Sequence, residues 1–346
     1  MTSLTLIAYQ TRKLIKVGGL FTVFFLISWT LITSALKAYE KAHPIKEKPT
    51  VKYGILPKIV FPEKVFDSKS FSKELANDKF PVSNDQAKVY FVARSNKPFM
   101  ALDEDKKTAK LMGFENEPKE IGNGVYEFKN NLLNQTLTIN VFTGSFKMKY
   151  PYENDQMLLN PERILTKEEA IVAAKSYLSD ADKLPDDLNL GEQKISYWKI
   201  AADGLRQVDS PSEANMTRVD LFRKNINDEM KIVSSNPNTA PISLMVTGST
   251  VEGKKVVEVN YHYANIDRES YETYPIKSAE EAWGELKAGN YWPANDIANK
   301  EVTIRKIYLA YFEPVVLTNY LQPVYVFEGD NNFTAYVPAI IDKYLK

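Results

Sequence analysis

The chain contains no cysteine, which excludes disulfides, thiolate nucleophiles and zinc sites built on sulfur. Histidine is nearly missing too. Only His43 and His262 occur, so no pair of imidazoles stands at metal-ligand spacing, and a Ser-His-Asp triad has only His262 to draw on. No sign of charge prevails, because Lys plus Arg and Asp plus Glu each number 44. A protein that neutralises many phosphates carries a basic excess, so nucleic acid is not an expected partner. Glycine is sparse at 14 residues, and no glycine-rich phosphate loop of either common type is present. No catalytic residue, cofactor or metal is expected, and the chain is not read as an enzyme.

One uncharged run is there instead. Residues 17–36, VGGLFTVFFLISWTLITSAL, would rise about 30 Å as a helix, which matches the hydrocarbon thickness of a bilayer. The run is apolar or small on every face, whereas a core helix keeps a polar stripe. It exceeds the roughly 7–15-residue apolar core of a cleaved signal, and Ala35-Leu36-Lys37-Ala38 lacks a small-x-small cleavage site. A retained single-pass transmembrane helix is therefore expected at the cell membrane. Arg12, Lys13 and Lys16 precede the run, but Lys37, Lys41, Lys46 and Lys48 follow it, so charge alone does not orient it. Long domains translocate largely regardless of charge, and this favours a cytoplasmic N-terminus with the C-terminal domain outside.

The expected order is a cytoplasmic tail 1–16, the span 17–36 in contact with the lipid bilayer, and a Pro/Lys-rich stalk 37–64. Pro44, Pro49, Pro57 and Pro62 make the stalk read as an extended tether. Three α+β modules follow, at 65–160, 161–270 and 271–346. Each is read as a helix followed by antiparallel strands.

Two helix starts match. Thr166-Lys-Glu-Glu169 and Ser278-Ala-Glu-Glu281 each place a hydroxyl three residues before a Glu, the capping-box spacing that satisfies backbone N–H groups reciprocally. A weaker copy near Asp103 ends at Gly113, a residue suited to a helix C-terminus. Period-two runs follow. In Lys255–Ala264, Val257, Val259, Tyr261 and Tyr263 are expected on one face, with Glu258, Asn260 and His262 on the other. Further strands are expected at Gly124–Lys129, Thr136–Phe142, Phe146–Pro151, Lys194–Ile200, Arg218–Arg223, Ile242–Val246, Val302–Phe312, Val324–Glu328 and Phe333–Val337.

The segments Leu165–Tyr177, Tyr274–Gly289, Tyr311-Phe-Glu-Pro314 and Gln322–Gly329 resemble PepSY-like modules of exported bacterial proteins, and more particularly the YycH and YycI accessory regulators. The resemblance spans about Asp85 to Ile341. It implies a non-enzymatic, membrane-tethered extracytoplasmic regulator that touches a membrane or envelope protein such as a histidine kinase or a protease. It carries no functional residue over.

Other patterns have plainer readings. Ser70-Phe-Ser-Lys73 fits the bare Ser-Lys acylation pattern but lacks its Ser-Asp-Asn and Lys-Thr-Gly companions. Asp103-Glu104-Asp105, Asp180, Asp182, Asp186 and Asp187 read as solvated charge. His262 reads as an exposed polar residue. The last module is crowded with Tyr, Trp and Phe, mostly expected as sheet core. Tyr291, Trp292 and Tyr320, beside Gly, Pro and Asn, are the residues expected to be exposed. They are the candidate contacts for a protein partner or, in the alternative reading of a cell-wall glycan-binding surface protein, for stacked sugars.

Overall fold

The computed structural model describes residues 3–42, 48–82, 84–93, 98–226, 229–237, 239–313 and 318–346. His43, Pro44 and Lys46 of the expected stalk, and Pro314 of the resemblance segments, lie outside the described residues. The chain forms two compact units, Met1–Lys48 and Pro49–Lys346. The first is one helix, α1 (Ser3–Ala42), which contains the whole uncharged run. The side chains of Val17, Leu20 and Val23 lie outside the described residues, and among the described residues no helix is long and apolar enough to cross a membrane. The span expected at 17–36 thus rests on the sequence.

The second unit is mixed α+β, with two large sheets and few helices. In chain order its first elements are β1 (Ser70–Lys73), β2 (Gln86–Ala93), α2 (Pro98–Leu111), β3 (Lys119–Gly122), β4 (Val125–Asn130), β5 (Gln135–Asn140) and β6 (Phe146–Lys149). Next come α3 (Gln156–Leu159), α4 (Lys167–Asp180), α5 (Asp186–Asn189), β7 (Gln193–Ala201), β8 (Gly204–Val208), β9 (Met216–Leu221), β10 (Ile232–Ser234), β11 (Ile242–Val246) and β12 (Val256–Tyr261). Last are β13 (Asn265–Pro275), α6 (Ala279–Lys287), β14 (Trp292–Asn295), β15 (Glu301–Glu313), β16 (Tyr320–Gly329) and β17 (Thr334–Pro338).

Among the described residues one sheet has nine strands in the order β3-β4-β5-β6-β12-β11-β9-β7-β8. The other has eight, with the path β1-β15-β16-β17-β14 extended by β10 on β15 and by β2 and β13 beyond β16. The expected boundaries near 160 and 270 do not survive this pairing. β6 from the first expected module is hydrogen-bonded to β12 from the second, β2 pairs with both β13 and β16, and β13 itself runs across residue 270. Two sheets replace three modules because β1 and β2 leave their sequence neighbours to complete a sheet formed mostly after residue 265.

Both expected capping boxes are present. Thr166 Oγ1 accepts from the Glu169 N–H while the Glu169 carboxylate accepts from the Thr166 N–H, and Ser278 and Glu281 do the same. Each capped helix buries a stripe of small and apolar residues: Ala170, Ala173, Ala174 and Leu178 of α4 pack with Val219, Leu244 and Val259, and Ala282, Trp283 and Leu286 of α6 pack with Ile304, Phe327 and Val337. The weaker helix is α2, followed by Gly113 at φ +87°, the left-handed conformation that glycine adopts without strain.

A bulge between Met245 and Val246 resets the register of β12. Val257 therefore packs with Tyr150 and Met245, while Val256, Val259 and Tyr261 pack toward α4, so the expected single face is split.

Residues 49–64 are not a tether. Leu56 is fully buried and bridged to Leu345, the Thr50 N–H donates to Thr273 Oγ1, and Phe61 stacks on Trp292 at 5.2 Å. This strap covers the face of the eight-stranded sheet opposite α6, where Ile59 and Phe61 meet Phe312, Val324, Val326 and Tyr336. An apolar sheet face cannot be left to water, and the strap supplies its cover.

Candidate interaction site at the junction of the two sheets

Of the aromatic trio expected at the surface, two are packed inside and the third is half-buried. Tyr291 and Trp292 are buried, at 9 % and 8 % exposure. Tyr291 lies among Phe66, Phe71 and Phe333, and Trp292 sits under Phe61 with its indole N–H donating to the Pro62 carbonyl at 2.8 Å. Tyr320 is half-buried against Tyr53 and Phe91. Sugar stacking needs a bare ring face, which neither Tyr291 nor Trp292 presents. The strap that covers them reads in the sequence as a free stalk, and without that cover both rings would be bare.

What joins the two sheets is an ion cluster that composition did not reveal. Arg223 follows β9 as the chain leaves the nine-stranded sheet toward β10 in the other. Its side chain is 2 % exposed. The guanidinium donates to Asp187 Oδ2, to the Ala264 carbonyl and to Glu313 Oε1, each at 2.8 Å, and it lies 4.2 Å from the centre of the Tyr263 ring. Asp187 lies in the first turn of α5, Ala264 links β12 to β13, and Glu313 ends β15, so one cation ties four chain segments together. The Tyr263 hydroxyl completes the set by donating to Asp187 Oδ1 at 2.9 Å. Burial alone would make this arginine a weaker cation, but Glu313, then Tyr263 and Asp187, outweigh it and raise its pKa. Burial also raises the Tyr263 pKa.

Two cavities flank the cluster and share Glu313 in their walls. One, of about 440 Å³, is lined by Lys194, Arg223, Lys231, Tyr308 and Glu328 among others. The second, of about 480 Å³, runs under residues 234–236 and 239–241 and includes Phe146, Asn260, Tyr261 and His262. His262 is half-buried here rather than exposed: its Nδ1 is bonded to Ser145 Oγ at 3.0 Å, and Nε2 is shut off from solvent without a partner among the described residues. A general base in a triad is oriented by an acid on its other nitrogen, and no such acid reaches this imidazole among the described residues.

The Ser-Lys pattern dissolves as well. Ser70 Oγ donates to the Lys300 carbonyl while Lys73 pairs with Asp78, so the lysine of the pattern is not bonded to its serine. Among the described residues no group of three or more His, Asp or Glu side chains is placed to hold a metal ion. Of the acidic runs, Asp187 belongs to the buried junction and Asp105 is 7 % exposed, contrary to the solvated reading given to both. The signal for Asp105 was its spacing. It falls four residues after Ala101 and four before Ala109, on the inner stripe of α2.

No family model matches the chain, and no curated protein matches it. Among solved structures the chain is similar to an uncharacterized protein from Eubacterium rectale ATCC 33656, at 12 % identity and a TM-score of 0.42 over 80 % of this chain and 88 % of that one. It is also similar to the Bacillus megaterium YpeB C-terminal domain, at 12 % identity and a TM-score of 0.29 over 72 % of this chain and 95 % of that one. Likenesses this distant carry no functional argument.

Proposed function

We propose that this chain is a membrane-tethered extracytoplasmic regulatory or protein-interaction module without enzymatic activity, of the PepSY-like, YycH and YycI type. Residues 17–36 hold it in the bilayer with the N-terminus in the cytoplasm, and its partner is a membrane or envelope protein such as a histidine kinase or a protease. The observation that carries this reading is the run of twenty residues without a charge inside one continuous helix. Within its own unit the helix has nothing to cover its described apolar side chains, Phe21 and Leu31 among them, and so long an apolar surface calls for a cover such as lipid. The hydroxyls of Thr22, Thr30 and Thr33 donate to the carbonyls of Gly18, Ile27 and Thr30 in the same helix, as suits a segment that has no water to bond. A compact β-rich unit joined to such a segment suits contact with a neighbouring membrane protein better than turnover.

The test uses the full chain in its native membrane. Alkaline carbonate is expected to leave it in the pellet, and crosslinking in intact cells followed by capture is expected to return a membrane-bound kinase or protease. Release by carbonate would remove the tether, and capture of the chain alone would remove the partner.

A further inference from the structure

Asp105 is an acid on the apolar side of a helix. It lies between Ala101 and Ala109 on the inner stripe of α2, 7 % exposed, and its Oδ2 has neither solvent nor a hydrogen-bond partner among the described residues. The Asp105 side chain also lines a cavity of about 210 Å³, walled by α2, by the turn between β5 and β6, and by Tyr261 and Tyr263 where β12 ends. Ionised carboxylates are rarely buried without donors, because the protein must replace the hydrogen bonds that water gave. The nearby candidates do not do so. The Tyr263 hydroxyl is committed to Asp187, and Lys183, which lines the same cavity, forms no ion pair with Asp105 among the described residues.

We propose that this cavity binds a small organic cation, an alkylammonium whose N–H groups donate to Asp105 while its carbons lie against Val92, Ala101 and Val141. Three features set the ligand class. The volume lies below the roughly 300–1,000 Å³ of sites for drug-sized molecules, so the occupant is small. Glu104 and Asp105 against Lys183 leave one negative charge in excess, which suits a monocation. A calcium ion asks for about six to eight oxygen ligands, more than these two carboxylates offer, and the apolar part of the wall favours carbon.

Among the described residues, the titratable groups facing Asp105 are Glu104 from α2, Lys183 from the segment after α4, and Tyr261 and Tyr263 from the end of β12, with Asp187 and Arg223 behind Tyr263. Burial pushes the Asp105 carboxyl up to about 6, with Lys183 pulling it down and Glu104 adding to the rise. A cation bound to the ionised form is therefore lost as pH falls below that value.

The experiment titrates the full chain, kept in mild detergent, with n-butylammonium chloride by calorimetry. Saturable binding is expected near neutral pH, weakening about tenfold for each pH unit below about 6. Asp105→Asn should abolish it, Lys183→Met should tighten it by removing the resident ammonium, and tetramethylammonium, which has no N–H, should not compete. Absence of saturable binding at neutral pH, equal binding by Asp105→Asn, or equal competition by tetramethylammonium would overturn the proposal. Should Asp105→Asn not fold, the pH dependence of the unaltered chain and the response of Lys183→Met decide it.

Discussion

The two sheets reach the same end by different means. The nine-stranded sheet is assembled from residues 119–261, every pair antiparallel, over a core mainly of Ala, Val, Leu and Ile beneath α2 and α4. The eight-stranded sheet recruits β1 and β10 as parallel partners of β15, accepts β2 from far upstream and is sealed by residues 49–64. Its core is the richer of the two in aromatic rings, and the tyrosine hydroxyls show what they add. Tyr274 donates to the Gly54 carbonyl, Tyr311 to Lys88, Tyr325 to Lys277 and Tyr336 to Ser234, each reaching a segment distant in sequence. A sheet built of neighbours needs only apolar burial, whereas one gathered from afar gains from side chains that bury a ring and fasten a remote backbone as well.

The sharpest way to break this comparison is to cut the link between the sheets. Arg223→Met strands Glu313 as a buried charge and leaves Asp187 only the Tyr263 hydroxyl and the longer pair with Arg268; it is expected to cost about 3–5 kcal/mol, with calorimetry showing two melting transitions where the unaltered chain shows one. Trp292→Ala removes the platform under Phe61 and the bond to Pro62. The expected loss is about 3 kcal/mol, with new proteolysis confined to residues 49–64 and the nine-stranded half unaffected.

Asp105→Asn works in the opposite sense. Its folded pKa of about 6 lies above the ordinary value near 4, so the stability it contributes is full below about pH 4 and is lost as pH rises through about 6. Denaturant titrations above pH 6 should find Asp105→Asn about 2 kcal/mol more stable than the unaltered chain, and the gap should close on acidification. The smallest effect is reserved for the fastening bonds. Tyr325→Phe and Tyr336→Phe keep the rings and lose one hydrogen bond each, about 1 kcal/mol apiece by chemical denaturation.

What the sequence made legible was local. Capping boxes at Thr166 and Ser278 depend on residues three apart, and a period-two strand such as the one expected at Thr136–Phe142, seen as β5 with alternating burial, carries its signal in itself. β3 and β8 are not among the expected strands, although Asn123-Gly124 and Asp203-Gly204 mark the turns that join them to β4 and β7. The run of Val89 to Val92 in β2 was equally readable as a strand, but nothing local discloses that it pairs with residues 265–275 and 320–321. The strap misled through composition, since prolines suggested a free tether while Leu56, Ile59 and Phe61 were the sign of burial. The junction was hidden for the same reason as β2. Arg223, Asp187 and Glu313 are ordinary surface letters until pairing of distant strands brings them together.

Membrane topology is the claim on which the functional reading stands, and a chain without cysteine offers a clean probe of it. Leu132→Cys, at a site 96 % exposed in the folded unit, and Tyr9→Cys in the N-terminal tail are each treated with a membrane-impermeant maleimide on intact cells. Labelling of Leu132→Cys at once, and of Tyr9→Cys only after the membrane is opened, is the predicted result; the reverse pattern, or protection of both sites, would contradict it.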